Sequence, residues 1–449
     1  MQNKSMVSKF SLYLMIFNLL ALVFLMTGPK KRPATSWAWF FMLFALPIGG
    51  MIVYLLFGLD SKNFKAFLRK SEADETLTKQ TNITNTLTTQ NEIDIYHEGE
   101  EKFENLIHDI KNATETIYIQ YYILQNDQLG RRIINILAEK AEQGVSVNLL
   151  IDKLGSRRIS KKMMASLVKK GGNLVFFTGP KFFGLNYRNH RKICVIDGKI
   201  GYIGGFNIGN EYMRNHWRDC HIRIRGEAVD QLTLRFIQDY NYCAKDKIVV
   251  PINKQVQSVT TSEPINNPTK LQMIASGPDT KDHEILYAYL DMMNKAKRYI
   301  YIQTPYFIPH ESVLDGLKLA LKNGVDVRIM IPSKPDHPLV KPAGISYLGQ
   351  LIHYGAKCYA YEKGFVHSKL VIIDDQVASV GTANMDIRSL TLNFEINAML
   401  YDEAKAKELA NQFLIDIAYS QFLDYNWYSS RSKTEKMKEN LCRLISPVL

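Results

Sequence analysis

His190-Arg191-Lys192-Ile193-Cys194-Val195-Ile196-Asp197 and His367-Ser368-Lys369-Leu370-Val371-Ile372-Ile373-Asp374 are one pattern written twice. Counted from each histidine, a lysine follows at +2, an aspartate at +7, a glycine at +14 (Gly204, Gly381) and an asparagine at +17 (Asn207, Asn384). Between the lysine and the aspartate each copy holds four apolar residues, which read as a short buried strand. Residues two apart on a strand share a face, so the histidine and lysine of each copy project toward the same place. A downstream carboxylate completes each set: Asp219 lies 29 residues after His190, and Glu395 lies 28 after His367.

The duplication extends beyond the motif. Thr116-Ile-Tyr-Ile-Gln-Tyr-Tyr-Ile123 has a counterpart beginning Tyr299-Ile-Tyr-Ile-Gln303, and Gly144-Val-Ser-Val-Asn-Leu-Leu-Ile151 has one in Gly324-Val-Asp-Val-Arg-Ile-Met-Ile331. These landmarks recur 183 and 180 residues apart, too far for a solenoid of short repeats and right for one duplicated α/β unit. The expected fold class is therefore α/β: two similar α/β domains in a pseudo-twofold arrangement, at 96–246 and 271–449. A linker rich in Asn, Pro, Ser and Thr joins them at 247–270.

The amino-terminal part is different in kind. Residues 10–27 and 37–59 carry no charge over 18 and 23 positions, each enough to cross a hydrocarbon core of about 30 Å as a helix. Pro47, Gly49 and Gly50 interrupt the second, which a membrane helix tolerates. The expected organisation is thus two transmembrane helices in a membrane region spanning 1–70, followed by a solvated tether at 71–95. Lys4, Lys9, Lys62, Lys65, Arg69 and Lys70 flank one side, against Lys30, Lys31 and Arg32 in the connecting loop, so the positive-inside rule puts the domains in the cytoplasm. The net charge of +12 would draw such a chain to anionic lipid or to nucleic acid. Five cysteines without a C-x-x-C pair argue against a disulfide framework and a structural zinc site.

Two His-Lys sets meeting at one phosphate suit phosphoryl transfer without a metal. One imidazole attacks phosphorus while the other protonates the departing oxygen. Lys192, Lys369, Asn207 and Asn384 then supply charge and donors to the non-bridging oxygens, and Asp219 and Glu395 fix the ring tautomers. Asp197 and Asp374 end their strands, where a carboxylate anchors a turn, and are expected to support the site more than to touch substrate. No metal and no cofactor is expected.

With these residues the sequence resembles the phospholipase D superfamily, marked by two H-x-K-x4-D motifs, and within it the bacterial cardiolipin synthases. Gly204-Gly-Phe-Asn-Ile-Gly-Asn-Glu-Tyr212, Trp217-Arg-Asp219, Gly381-Thr-Ala-Asn-Met-Asp-Ile-Arg-Ser389 and Asn393-Phe-Glu395 carry the likeness, as do the two apolar segments. The resemblance implies transfer of a phosphatidyl group from one phosphatidylglycerol to another, giving cardiolipin and glycerol through a phosphatidyl-histidine. It implies His190 as nucleophile and His367 as acid and then base, an assignment that near symmetry makes reversible. It also implies a bacterial cell membrane location, phosphatidylglycerol, cardiolipin and membrane lipid as partners, and no nucleic acid. A hydrolase of the same superfamily, a transferase using another acceptor, and a non-catalytic organiser of anionic lipid remain as alternatives.

Overall fold

The structure is a computed structural model. It describes residues 33–54, 65–179, 186–214, 216–250, 265–444 and 446, with isolated positions between 13 and 23. Short apolar runs behind turn glycines become strands, and polar caps start the helices between them. Asp127, Ser160 and Asp402 each accept a backbone N–H in the first turn of the helices Gln128–Glu142, Lys161–Lys169 and Glu403–Ile417, satisfying donors that a helix start leaves open.

The first half contributes β1 (Asn91–Tyr96), β2 (Thr116–Tyr121), β3 (Ser146–Asp152), β4 (Asn173–Phe177), β5 (Ile193–Ile196), β6 (Ile200–Gly204), the two-residue β7 (Trp217–Arg218) and β8 (His221–Gly226). The second contributes β9 (Lys270–Ser276), β10 (Tyr299–Gln303), β11 (Phe307–Ile308), β12 (Asp326–Pro332), β13 (Lys357–Tyr361), β14 (Phe365–Val366), β15 (Leu370–Ile373), β16 (Val377–Gly381), β17 (Met385–Asp386), β18 (Glu395–Tyr401) and β19 (Ser420–Leu423). The main sheets run β1-β8-β6-β5-β2-β3-β4 and β9-β18-β16-β15-β10-β12-β13-β19. Apart from β19 the two orders correspond strand for strand, so the duplication read in the sequence is a duplication of topology.

Each sheet is coated on its outer face by helices of its own lobe, and the inner faces meet in a core that Leu232 of the helix Ala228–Cys243 and Leu409 of the helix Glu403–Ile417 also enter. Ile193 and Val195 of β5 join Leu370 and Ile372 of β15 in one core, while Cys194 and Ile196 point to the first lobe's helices and Val371 and Ile373 to the second's. This alternation is the pleat acting on two four-residue runs that are buried on both sides. Cys194, seated in the outer core, is a small hydrophobe whose thiol burial pushes well up. All five cysteines are free thiols.

Two expectations for the first hundred residues need correction. The stretch 71–95 is not a tether. A helix, Lys65–Thr81, runs through its first part, burying Phe67 beside Tyr187 and Phe394 at ring distances of 5.3 and 5.7 Å. Residues 91–96 form β1, paired antiparallel with β8 from Asn91↔Gly226 to Tyr96↔His221, so a domain starting at 96 would cut an edge strand away. Second, Lys70 is buried at 3% exposure and does not stand at a membrane flank. The described part of the apolar stretch 37–59 is two short helices, Pro33–Ala45 and Pro47–Val53, folded against each other with Trp39 on Tyr54 at 5.0 Å. The break falls at Leu46, whose backbone leaves the helical region at φ −131° and ψ 72°; a following proline disfavours helix there. Among the described residues no helix is long and apolar enough to cross a membrane. Most of 10–27, the end of 37–59 and most of the linker 247–270 lie outside the described residues.

Candidate active site

The site is built where two short strand pairs cross from one lobe to the other. β14 of the second lobe runs parallel to β7 of the first, pairing Val366 with Arg218, and the His367 amide donates to the Arg218 carbonyl at 2.7 Å. The pseudo-equivalent pair is a single bridge between Asn189 and Phe394, where the His190 amide donates to the Phe394 carbonyl at 2.9 Å. In both, the residue before a histidine pairs with the residue before the other lobe's carboxylate.

The consequence is a crossed set of contacts. His190 Nδ1 lies 2.9 Å from both Glu395 oxygens, and His367 Nδ1 lies 2.7 Å from Asp219 Oδ2. Spacing alone grouped each acid with the histidine of its own half, and the structure corrects that: each imidazole takes its carboxylate from the opposite lobe. With Nδ1 engaged, Nε2 is the nitrogen left for chemistry on each ring.

The carboxylates are held in different ways. Glu395 Oε2 accepts from Thr382 Oγ1 at 2.6 Å, whereas Asp219 Oδ1 takes the Cys220 amide at 2.8 Å. The first lobe has Gly205 where the second has Thr382. A Cβ at Gly205 would stand 1.9 Å from Asp219 Oδ1, so only glycine fits beside that carboxylate. Sequence reading noted the Gly-Gly and Gly-Thr turns without finding this role. It quoted the stretches that hold Tyr122 and Trp217 without placing either ring beside a histidine; Tyr122 stands edge-on 4.9 Å from His190, and Trp217 lies 5.2 Å from His367.

The lysines are bent back on their own strands. Lys192 Nζ donates to the His190 carbonyl at 2.8 Å, and Lys369 Nζ donates to the His367 carbonyl. Asn207 accepts from the Ile123 amide at 3.2 Å and donates to Tyr212 Oη at 3.3 Å. Asn384 is buried, with its Oδ1 lacking a hydrogen bond among the described residues. Asp197 and Asp374 are elsewhere, at the far ends of β5 and β15. Asp197 accepts the amides of Thr114, Glu115 and Thr116 at 2.8 Å, and Asp374 those of Lys297, Arg298 and Tyr299 at 2.6 to 2.8 Å. Both adopt positive φ, 52° and 54°, which Asp tolerates better than most residues. They lock the strand that carries the site and do not enter it.

Burial governs the electrostatics. It pushes His367 down to about 3, with Lys369 adding to the effect and Asp219 opposing it. Burial lowers His190 too, against the pull of Glu395. Lys192 falls to about 7 and Lys369 to about 8, chiefly by burial, with the carboxylates Glu395 and Asp219 opposing. Two lysines and two histidines face two carboxylates, so an anion entering the site would raise all four groups together. Among the described residues no three His, Cys, Asp or Glu side chains converge as a metal site would require.

Known proteins with this arrangement can be compared directly. A family described as cardiolipin synthase, phospholipase D-like domain, matches residues 106–240 and 289–417. The cardiolipin synthase of Staphylococcus aureus is 44% identical over 97% of this chain and 95% of its own length. The chain belongs to the cardiolipin synthase family. The major cardiolipin synthase of Bacillus subtilis is 39% identical over 97% of this chain and 98% of its own length. A further family, the phospholipase D-nuclease N-terminal region, matches residues 16–58, where the two apolar stretches lie. In fold, the crystal structure of phosphatidylserine synthase from Haemophilus influenzae superposes with a TM-score of 0.65 at 17% identity, covering 83% of this chain and 100% of that one. The cardiolipin synthase family is thus met here on a fold of two phospholipase D-like lobes.

Proposed function

We propose that the chain makes cardiolipin by exchanging one phosphodiester for another. His190 Nε2 attacks the phosphorus of a first phosphatidylglycerol, the bond from phosphorus to the glycerol oxygen breaks, and His367 gives that oxygen its proton. Glycerol leaves and a phosphatidyl-histidine remains. His367, now neutral, takes the proton from the terminal hydroxyl of a second phosphatidylglycerol; that oxygen attacks phosphorus, and the phosphorus–nitrogen bond breaks to return His190. Lys192 and Lys369, with Asn207 and Asn384, stabilise the charge that gathers on the non-bridging oxygens. One diester replaces another, so the reaction requires no nucleotide.

The observation that carries this reading is the pair of crossed contacts, which engages both Nδ1 atoms from the opposite lobe, with each buried ring feeling the charge of both Lys192 and Lys369. Burial of both histidines, at 8% and 7% exposure, also favours transfer over hydrolysis because a dry site protects the intermediate from water. We place the lobes on the cytoplasmic face of a bacterial membrane, anchored by residues 10–27 and 37–59. A basic protein held there meets two anionic lipids side by side.

Purified full-length protein given only phosphatidylglycerol in detergent is expected to release glycerol and form cardiolipin. Phosphatidic acid as the only product would make the protein a hydrolase. Failure to turn over any phosphatidyl donor would leave a non-catalytic lipid-binding role. His190→Ala and His367→Ala are each expected to abolish cardiolipin formation from phosphatidylglycerol while the circular dichroism spectrum stays unchanged.

A further inference from the structure

We propose that Lys70 is a positioning residue for the His190–Glu395 pair, acting through Asp239 and Arg191, so that the helix Lys65–Thr81 must be docked before the phosphatidyl group can be transferred. This rests on the phosphatidyl-transfer reading above. Lys70 Nζ lies 2.5 Å from Asp74 on its own helix, 3.2 Å from Asp239 on the first lobe's helix Ala228–Cys243, and 2.7 Å from Asp279 just after β9. One ammonium therefore ties the helix after the apolar region to both lobes.

Asp239 carries the connection inward. It takes Arg191 Nη1 at 2.6 and 2.7 Å and accepts from Asn189 Nδ2 at 3.3 Å, so it grips the residues on both sides of His190. Arg191 also donates Nε to the Glu395 carbonyl at 2.9 Å and Nη2 to the Ser276 carbonyl at 3.1 Å. A continuous path of charge-assisted bonds thus runs from Lys70 to the backbone of the carboxylate that orients His190. Burial and Arg235 both work against the charge on Lys70, yet Asp279, Asp74 and Asp239 outweigh them and hold it above the ordinary lysine range.

The other half of the site is wired differently. Its matching carboxylate, Asp416, takes Arg218 at 2.8 Å and Gln303 at 3.0 Å. The position corresponding to Arg191 holds Ser368, and among the described residues no side chain of the helix Lys65–Thr81 bonds to Asp416. The docked helix therefore acts on the His190–Glu395 pair alone. Fully buried ion networks do little for net stability compared with apolar packing, but they fix register, and losing one partner strands the others. Five buried charges, Lys70, Arg191, Asp239, Asp279 and Arg235, which pairs with Asp239 at 3.2 Å, join the half-buried Asp74 between this helix and the residues beside His190, a network placed to set geometry.

The test uses the full-length chain and the single-turnover rate constant of glycerol release, which does not depend on the fraction of molecules that are active. Lys70→Met is expected to lower that constant at least tenfold while the KM for phosphatidylglycerol stays within twofold, and Lys70→Arg, which keeps the charge, is expected to recover most of the rate. A Lys70→Met enzyme that loses only amplitude, with an unchanged rate constant, would reduce Lys70 to a structural role and overturn the proposal. Should that variant fail to fold, Lys70→Met with Asp279→Asn keeps the buried charge balanced; a parental rate constant there overturns the proposal equally. Parent protein that releases no glycerol from phosphatidylglycerol would refute the assignment of function instead.

Discussion

Each motif imidazole leans on a carboxylate from the opposite lobe, and that crossing can be read out by substituting the acids. Asp219→Asn weakens the support of His367, the proposed acid, whereas Glu395→Gln weakens that of His190, the proposed nucleophile. A phosphatidyl donor with a p-nitrophenol leaving group needs no acid for its departure. Asp219→Asn and His367→Ala are therefore expected to release p-nitrophenol in a burst of about one per site and to accumulate phosphatidyl-enzyme, while Glu395→Gln and His190→Ala do not; mass spectrometry of the trapped protein checks this. The reverse pattern would exchange the roles of the two histidines. A second outcome concerns the lysines, held at about 7 and about 8 in the free site. Their ammonium forms, which attract the phosphate, are populated below those values and lost above them. Because kcat/KM reports groups of the free enzyme, it should fall as pH rises through 7 to 8. A profile flat from pH 6 to 9 would contradict the electrostatics described here.

At the scale of elements, β5 and β15 do two jobs, presenting His and Lys at one end and being locked by Asp197 and Asp374 at the other. Asp197→Ala removes the acceptor of three amides and of the Thr114 hydroxyl, a loss of about 1–3 kcal/mol in stability for groups left without a partner. The single-turnover rate of the folded enzyme should stay within about twofold, which chemical denaturation and rapid quench measure separately; a thousandfold loss of rate would return Asp197 to the reacting centre. Gly205→Ala should instead damage the chemistry, since its methyl displaces Asp219 from His367. These strands were legible in the sequence because a four-residue apolar run between a lysine and an aspartate, written twice at one spacing, has few other readings. The helix Lys65–Thr81 was not, because the residues it buries are Phe67 and Lys70, and one aromatic with one lysine makes no apolar stripe to count. Nor was the crossing of the carboxylates, since spacing along the chain relates each acid equally well to its own histidine. That choice is made by β7–β14 and by the Asn189–Phe394 bridge, which are contacts between lobes and leave no periodicity in either one.

For the whole molecule, the same crossing makes the lobes a single unit. The inner faces of both sheets share one core in which Ile193, Val195 and Ile203 of the first half meet Leu370, Ile372 and Val380 of the second. Neither half keeps an intact histidine–carboxylate pair alone, and neither keeps its inner sheet face dry. Domains joined only by a linker unfold separately, whereas halves sharing a core are expected to melt together. Calorimetry of the full-length protein in detergent should therefore show one transition for both lobes. Ile372, fully buried at this interface, offers the direct check: truncation to alanine removes three carbons from the shared core and costs about 2–5 kcal/mol. The entire transition should move to lower temperature and remain single, with the burst of p-nitrophenol release and the circular dichroism signal lost at the same temperature. A split into two transitions, with one unmoved by Ile372→Ala, would mean that the lobes are independent bodies and that the site is assembled by docking after each has folded.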